Sequence, residues 1–220
     1  MAEAGDGERP RPAVLRRQRA QGTRRRMVEA AYRLISERGY AATTMAEIAL
    51  EAGVAVQTVY FTFHTKFALM REAFDFAVVG SDEGTPPHHQ PWFQAIREEP
   101  DLSRALGLLV DHVTLISRRV SPLVEALRSL GNQPEANAFY HERERWRHQG
   151  FGEMLSVLVA KRSLRTSLDP AAALDVFFAL LSPELYQALV IGRAWPDDRW
   201  RDWIAKTLEE TVFEPKPPAA

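Results

Sequence analysis

The sequence predicts an all-α fold, and three observations support that prediction. Apolar residues recur at spacings of three and four over most of the 220 residues, as they do on one face of an α-helix. The alternation of apolar and polar residues that marks paired strands is nearly absent. With 45% hydrophobic and 26% charged residues, the composition is typical of a folded globular protein.

The first two helices are predicted from their end signals. Thr23 can cap the first helix, and Gly39 can end it. The second begins with a capping box, in which Thr44 is followed three residues later by Glu47, and it ends at Gly53.

The third predicted helix, over about 55–63, has two different faces; a fourth helix follows residue 65. At about 100° per residue, Val59 and Phe63 share a face and should pack inward. Gln57 and Phe61 should point outward, with Thr58 and Tyr60 on the flanks. A short helix with an exposed polar and aromatic face, placed after a glycine turn, is typical of a helix-turn-helix motif that enters the major groove of DNA. A small bundle with surface aromatics is the alternative.

The order TTMAEIALEAGVAVQTVYFTFHTKFAL, from Thr43 to Leu69, resembles the DNA-binding domain of the TetR family of transcriptional regulators, as does the preceding AAYRLISERGY. The resemblance implies a three-helix helix-turn-helix DNA-binding domain over 23–68 and a helical ligand-binding and dimerisation bundle over 69–213. Residues 1–22 are then an Arg-rich disordered arm, and 214–220 a disordered tail.

The resemblance also implies which side chains contact DNA. Phosphate contacts would be made by Thr44, Thr58, Tyr60 and Lys66, and groove contacts by Val56, Gln57, Phe61 and Thr62. Three residues depart from the family pattern: Ala55 replaces a capping Ser or Thr, Gln57 a common Gly, and Phe67 the usual acid. Gln57 therefore adds a base-reading side chain that many relatives lack.

Arginines precede this motif in two groups, with Arg16, Arg17 and Arg19 in the predicted arm and Arg24, Arg25 and Arg26 at the start of the first helix. Flexible arginine arms can enter the minor groove beside a major-groove helix. A solvated charged tail is the alternative.

Beyond a Gly- and Pro-rich loop over 80–91, further helices are predicted at about 92–98, 101–119, 122–131, 134–163, 169–193 and 197–213. Residues 171–191 carry only Asp175 and Glu184 as charges, so that helix must be covered on more than one side. Pro183 should kink it. The covering surface is either a second subunit or a large monomer core. The predicted dimer residues are Leu185, Leu189, Trp200, Trp203, Ile204 and Leu208.

A ligand cavity among the middle helices is implied by the resemblance. Its candidate lining residues are Trp92, Phe93, His112, Ile116, Tyr140, Trp146, Phe151, Phe177, Phe178 and Tyr186. For each of them, ordinary core packing is the competing interpretation.

Several classes of function are disfavoured. The chain has no cysteine, which removes disulfides and thiolate chemistry, and it has no GxSxG, GxxxxGK, HExxH or GxGxxG motif. His141 and His148 lie seven residues apart, about 10 Å along a helix, too far to share a metal. We therefore expect no catalytic residue, cofactor or metal. No signal segment or long apolar run is evident, which favours a cytoplasmic protein without a membrane partner.

The sequence thus predicts a ligand-responsive transcriptional regulator that represses by binding a palindromic operator in double-stranded DNA as a homodimer and is released by a small-molecule effector. The alternative is a helical small-molecule binding or interaction module without DNA readout.

Overall fold

The structure is a computed structural model that describes residues 12–80 and 90–216, with side chains from residue 16 onward in those ranges. The chain divides into two compact units, Met1–Phe76 and Ala77–Ala220. Regular structure in the described ranges is helical, apart from one isolated β-bridge between Leu164 and Phe213. The predicted all-α class is confirmed.

The first unit contains α1 (Pro12–Ala42), α2 (Met45–Ala52), α3 (Val56–Phe63) and most of α4 (Lys66–Val79). α1 leaves helical geometry at Gly39, where φ is 81° and ψ is 167°, a conformation that glycine adopts at low cost. All four helices contribute side chains to the buried face, including Met27, Ile35, Ile48, Val59, Phe63 and Leu69.

The N-terminal helix is longer than the sequence suggests. α1 begins at Pro12 instead of Thr23, so the expectation of a disordered arm is wrong for residues 12–22. Proline is favoured at the first helical position, and the Ala, Leu, Arg and Gln residues that follow it are good helix formers. Residues 1–11 of the predicted arm lie outside the described residues.

The second unit contains α5 (Pro91–Glu98), α6 (Leu102–Ser129), α7 (Pro134–Val159), α8 (Pro170–Leu180), α9 (Pro183–Tyr186), a π-helical segment (Gln187–Ile191) and α10 (Asp197–Val212). The long α6 packs against α10, where the Trp200 indole donates a 3.1 Å hydrogen bond to Thr114 Oγ1. The core around this contact includes Leu106, Leu109, Phe177, Ile204 and Phe213.

Two prolines act differently from the prediction. Pro122 lies inside α6, so the predicted division between 119 and 122 is wrong. Burial of Val120, Leu123 and Val124 on either side of it favours a continuous helix over a break. Pro183 does not kink one long helix but begins a new one, because α8 has already ended at Leu180. Proline is well tolerated at such a start, where its missing N–H would have no helical partner.

The C-terminal end is partly ordered. The Glu214 N–H donates to the Ser163 carbonyl (3.0 Å), and the Lys216 ammonium donates to an Asp101 carboxylate oxygen (3.0 Å). The prediction of a disordered tail is therefore wrong for residues 214–216. The local sequence could not indicate this order, because the hydrogen-bond partners lie far away in the sequence. Residues 217–220 lie outside the described residues, as do 81–89 of the predicted loop.

One segment of the second unit is long and apolar enough, by length and composition alone, to cross a membrane: Pro170–Ile191. The sequence expectation concerned an unbroken apolar run, and this segment is not one. It carries Asp175 and Glu184, and its helix is interrupted before Pro183. Only 17% of the residues in its most apolar window are fully buried within the chain, and more than half of the residues in the segment are half-buried.

Candidate functional site

Local backbone and side-chain hydrogen bonds define both ends of α2, which leads into the turn before α3. Thr44 Oγ1 accepts from the Glu47 N–H (3.2 Å), while Glu47 Oε2 accepts from the Thr44 N–H (2.9 Å), which confirms the predicted capping box. The Thr44 hydroxyl, which donates to Glu47 Oε2 (2.8 Å), and then the Thr44 N–H are the main causes of the lowered pKa of Glu47. Gly53 ends α2 in the left-handed conformation, with φ of 66° and ψ of 42°. The chain therefore enters α3 in one defined direction.

α3 has an anchored face and an open face. Val59 (0% exposed) and Phe63 (3%) pack inward, as predicted, whereas Phe61 is 85% and Tyr60 is 51% exposed. Gln57 is also exposed. Ala55 provides no side-chain cap, as its residue type implies. The helix presents an amide, a phenol and a phenyl ring to solvent from a backbone whose rotation is set by two buried side chains.

The end of α3 is a strained turn that the sequence did not indicate. His64 has φ of 63° and ψ of −48°, and the Thr65 N–H donates to the Phe63 carbonyl (2.6 Å). These features define the rare γ-turn with a positive central φ. α4 then begins with Thr65 as its cap, because Thr65 Oγ1 accepts from the Ala68 N–H (3.0 Å).

Lys66 points into the domain. Its ammonium donates to the carbonyls of Tyr40 (2.8 Å) and Thr43 (2.7 Å) and lies 4.1 Å from the centre of the Tyr40 ring. Burial lowers the pKa of Lys66, and the nearby Glu47 carboxylate opposes that shift. The ammonium thus joins the start of α4 to the α1–α2 connection. At least two of its donors are committed within the chain in this conformation, and a phosphate contact by Lys66 remains a prediction.

Three consecutive arginines of α1 that were predicted to contact DNA, Arg24, Arg25 and Arg26, are also engaged within the first unit. Arg24 forms a two-bond ion pair with Glu72 and lies 4.7 Å from the centre of the Phe63 ring. Arg25 pairs with Glu29 at 2.8 Å. The Arg26 guanidinium donates to the Ala52 carbonyl (3.2 Å). In this conformation they contribute to the packing of the helices instead of forming a free arm, and they remain DNA contacts only as a prediction.

The other predicted DNA residues lie on or near the open face. Thr44 is exposed, while Val56, Thr58 and Thr62 are half-buried. The Thr62 hydroxyl donates to the Thr58 carbonyl (2.7 Å). Sequence reasoning overlooked Leu50, which is 83% exposed on α2. Its place outside the apolar stripe of α2 could have indicated this.

Residues 27–73 match the family model described as bacterial regulatory proteins, tetR family. The first unit is therefore a TetR-family domain. A similar curated protein is the uncharacterized HTH-type transcriptional regulator YdeS of Bacillus subtilis, 27% identical over 203 residues that span 88% of this chain and 91% of the relative. Residues 27–73, which match the family model, cover α2 and α3 together with the flanking parts of α1 and α4.

Solved structures with the same fold include two with bound ligands. One is a transcriptional regulator from Saccharomonospora viridis in complex with choline, with a TM-score of 0.67 and 22% identity over 87% of this chain and 98% of that one. The other is the regulator FadR from Bacillus subtilis in complex with stearoyl-CoA, with a TM-score of 0.65 and 18% identity over 83% and 96%. At these identities the likeness establishes the fold alone.

The pocket residues suggested by the TetR resemblance fall into three groups by exposure. Phe93, Phe177 and Tyr186 are at most 4% exposed, so in this conformation they pack in the core and offer a ligand almost no surface. Trp146 is 63% exposed on α7, with the Arg143 guanidinium 4.4 Å from its ring centre. These four do not line a cavity as predicted. The remaining six are half-buried: Trp92, His112, Ile116, Tyr140, Phe151 and Phe178.

Two ring clusters organise much of the half-buried group. The His112 imidazole stacks on the Trp92 indole with centres 3.9 Å apart, and burial, aided by Arg119, lowers the pKa of His112 to about 4. Phe151 lies edge-on to Phe178, at 6.4 Å between ring centres. A surface depression of about 350 Å³ lies elsewhere, lined by Gly107, Val110, Asp111, Asp198, Arg201, Asp202 and Ala205. None of the ten candidates lines it.

The Tyr140 hydroxyl joins a polar network between helices. It donates to Glu184 Oε1 (2.9 Å), which also accepts from Arg128 (3.2 Å). Arg128 in turn donates to the Gln187 side chain (3.0 Å), whose amide donates to the Ser121 carbonyl (2.8 Å). Burial and the hydrogen bond to Glu184 raise the pKa of Tyr140. The network joins α6, α7 and the Pro183–Ile191 region.

The predicted dimer residues divide in the same way. Trp200, Ile204 and Leu208 are at most 1% exposed, because that face of α10 packs on the core of its own protomer. The prediction that they form a subunit interface is wrong. Leu185 and Leu189 remain half-buried, and Trp203 is 37% exposed.

Proposed function

We propose that this TetR-family protein is a homodimeric transcriptional repressor that binds a palindromic operator through α3 and releases it when a small molecule binds the second unit. The observation that carries the proposal is the open face of α3. Gln57, Tyr60 and Phe61 face solvent on a short helix that Val59 and Phe63 anchor from the opposite side. A rigid helix with amide, phenol and ring groups suits the major groove.

A dimer follows from the small size of the reading surface. α3 has eight residues, so one copy contacts too few base pairs to select a site. Two copies related by a two-fold axis would read a palindrome with half-sites about one helical turn apart. The surface that would bring the copies together is Pro170–Ile191, where few side chains are fully buried and Leu185, Leu189 and Ile191 keep exposed apolar area. Partly exposed apolar side chains grouped on one segment fit a second copy of the chain better than water.

Small-molecule control is supported by the fold. The two solved structures with choline and stearoyl-CoA are similar to this chain over more than four fifths of its length. Their ligands differ too much in size and polarity to name an effector here. Release requires that the effector bind more tightly to a dimer whose two α3 helices are wrongly spaced for the operator, since a ligand that binds both forms equally shifts nothing.

The competing proposal is a helical binding module without DNA readout. It is favoured by the internal contacts of Lys66 and of Arg24, Arg25 and Arg26, which leave fewer free cations for phosphates than the sequence suggests. The exposed face of α3 argues against it. A helix-turn-helix that no longer bound DNA would have no need for three different contact groups on one exposed face.

Selection of duplex DNA from a random pool tests the proposal. Wild-type protein and the Tyr60→Ala variant are each used at moderate salt, and the recovered sequences are compared. Tyr60 suits the control because its exposed ring contributes little to packing. A palindrome enriched by wild type and depleted for the variant is the expected result. Equal recovery by both proteins, or no enrichment in repeated rounds with and without cell extract as a source of effector, would favour the binding module.

A further inference from the structure

Phe61 is the most exposed large apolar side chain in the part of the chain that the structure describes, at 85%. Its neighbour Phe63, two residues later on the same short helix, is 3% exposed. The two rings therefore have opposite surroundings although they have the same chemistry. Packing within the protomer accounts for Phe63 and leaves Phe61 without a role in stability.

The direction of Phe61 is set by the rest of α3. Val59 and Phe63 are buried on one side, which fixes the rotation of the helix about its axis. Gln57 precedes Phe61 by four residues, so the two side chains lie on the same face. An amide and a phenyl ring thus project together from the open side of the motif.

The major groove offers one apolar group on its base edges, the C5-methyl of thymine, and phenylalanine is one of the side chains that contacts it. Adenine offers N6 and N7, which a glutamine amide can bind with two hydrogen bonds. Four residues of helix span about 6 Å, and base pairs are stacked about 3.4 Å apart. Groups four residues apart on a helix that follows the groove therefore reach positions about two base pairs apart.

We propose that Phe61 reads the methyl group of a thymine in each half-site, about two base pairs from an adenine read by Gln57. This inference rests on the proposed operator binding and specifies its chemistry. In this inference the exposed ring contacts DNA. If the ring contacted a protein instead, the affinity for DNA would not depend on the thymine methyl group.

The experiment removes the methyl group without changing the base pairing. Once selection has given an operator, each thymine of one half-site is replaced in turn by deoxyuridine, and the symmetric position is changed with it. Affinity is measured by fluorescence anisotropy for wild type, Phe61→Ala and Gln57→Ala. Burial of one methyl group corresponds to roughly a fourfold change in affinity per half-site, hence about 15-fold for a symmetric pair.

For wild type we expect one deoxyuridine position to weaken binding by about that factor. Phe61→Ala should weaken binding to the thymine operator and lose the distinction between thymine and deoxyuridine at that position. Gln57→Ala should keep this distinction and instead lose discrimination at an adenine about two base pairs away. Circular dichroism and thermal unfolding of both variants provide the check that folding is retained.

Three outcomes would overturn the inference while leaving operator binding intact: a uniform deoxyuridine profile, a sensitive position that Phe61→Ala does not affect, or unchanged operator affinity of Phe61→Ala. The last would favour a protein partner for the ring. Failure of wild type to select any operator would overturn the proposed function and this inference together. The two failures are therefore distinguishable.

Discussion

α3 and the segment Pro170–Ile191 both expose apolar side chains, but in different settings. In α3 the exposed rings stand among polar side chains, opposite two buried anchors. In Pro170–Ile191 most apolar side chains are half-buried and Ile191 is exposed, and the helix is interrupted once before Pro183 and widened at Gln187–Ile191. Isolated aromatic rings among polar side chains on a helix suit a polar partner that is contacted at a few separate positions, such as DNA. A row of half-buried apolar side chains suits another protein surface.

The two segments also end differently. α3 ends in the γ-turn at His64, and the π-helical segment closes with a hydrogen bond from the Gly192 N–H to the Gln187 carbonyl (2.8 Å). Both are uncommon backbone arrangements, and such arrangements are frequent at functional sites. Substitutions that affect one segment and leave the other unchanged can separate DNA binding by α3 from assembly through Pro170–Ile191.

The largest expected effect comes from the anchors of α3. Phe63→Ala should lower the free energy of unfolding by about 3–5 kcal/mol, because it removes a ring that is 3% exposed. Phe61→Ala, the matched control, should change it by no more than about 0.5 kcal/mol. Urea unfolding followed by circular dichroism measures both. Equal losses would mean that the two faces of α3 have been wrongly assigned.

A charge placed on the apolar segment should act on assembly. Ile191 is 62% exposed in the protomer, and Ile191→Asp should weaken dimer formation by roughly 100-fold, because an unpaired carboxylate is costly in an apolar interface. Leu50→Asp changes a residue that is 83% exposed in the first unit and should leave the dimer intact. Sedimentation velocity over a range of concentrations distinguishes the two. A monomeric wild type would remove the interface from the proposal.

The π-helical segment can be tested at its closing glycine. A Cβ on Gly192 would lie 2.9 Å from the Ala188 carbonyl oxygen, so Gly192→Ala should lower stability by about 1–3 kcal/mol. Gly107→Ala, inside α6 with no atom within 4 Å of the added carbon, should raise it by about 0.5–1 kcal/mol. Opposite signs in thermal unfolding are expected. A neutral Gly192→Ala would mean that the turn relaxes at little cost.

The smallest effect concerns the γ-turn. His64→Gly relieves a positive-φ conformation and should raise stability by about 1 kcal/mol, after the entropy cost of glycine is subtracted. His141→Gly, at an exposed position inside α7, should instead lower it by about the usual cost of a helical glycine, 0.5–1 kcal/mol. If operator affinity falls in the stabilised His64→Gly variant, the strained turn contributes to holding α3 in place for binding.

Short-range patterns were enough to predict much of the helix-turn-helix in the first unit. The capping box at Thr44, the turn at Gly53 and the inward positions of Val59 and Phe63 depend on residues at most a few positions apart, and the structure confirms each of them. The same locality explains the open face of α3. In a helix of eight residues, burial of two apolar side chains sets the rotation of the helix about its axis, and the opposite face is then exposed.

The second unit was harder to predict because its helices are apolar on several sides. Trp200, Ile204 and Leu208 have the spacing of an interface and of a core alike, and packing against α6 made them core. A break between residues 119 and 122 was expected, whereas burial on both sides of Pro122 held α6 together. The internal partners of Lys66 could not be predicted either, since Tyr40 and Thr43 lie more than twenty residues away.

The sequence by itself determined the all-α class, the helix-turn-helix and the residues that α3 exposes, because helix periodicity and capping act over one or two turns. Only the tertiary structure decided which apolar faces of the second unit are covered, and where the cations of the first unit are directed. Those outcomes depend on contacts between residues distant in sequence, whose spacing pattern is the same whether the partner is the protein's own core, a second copy or DNA.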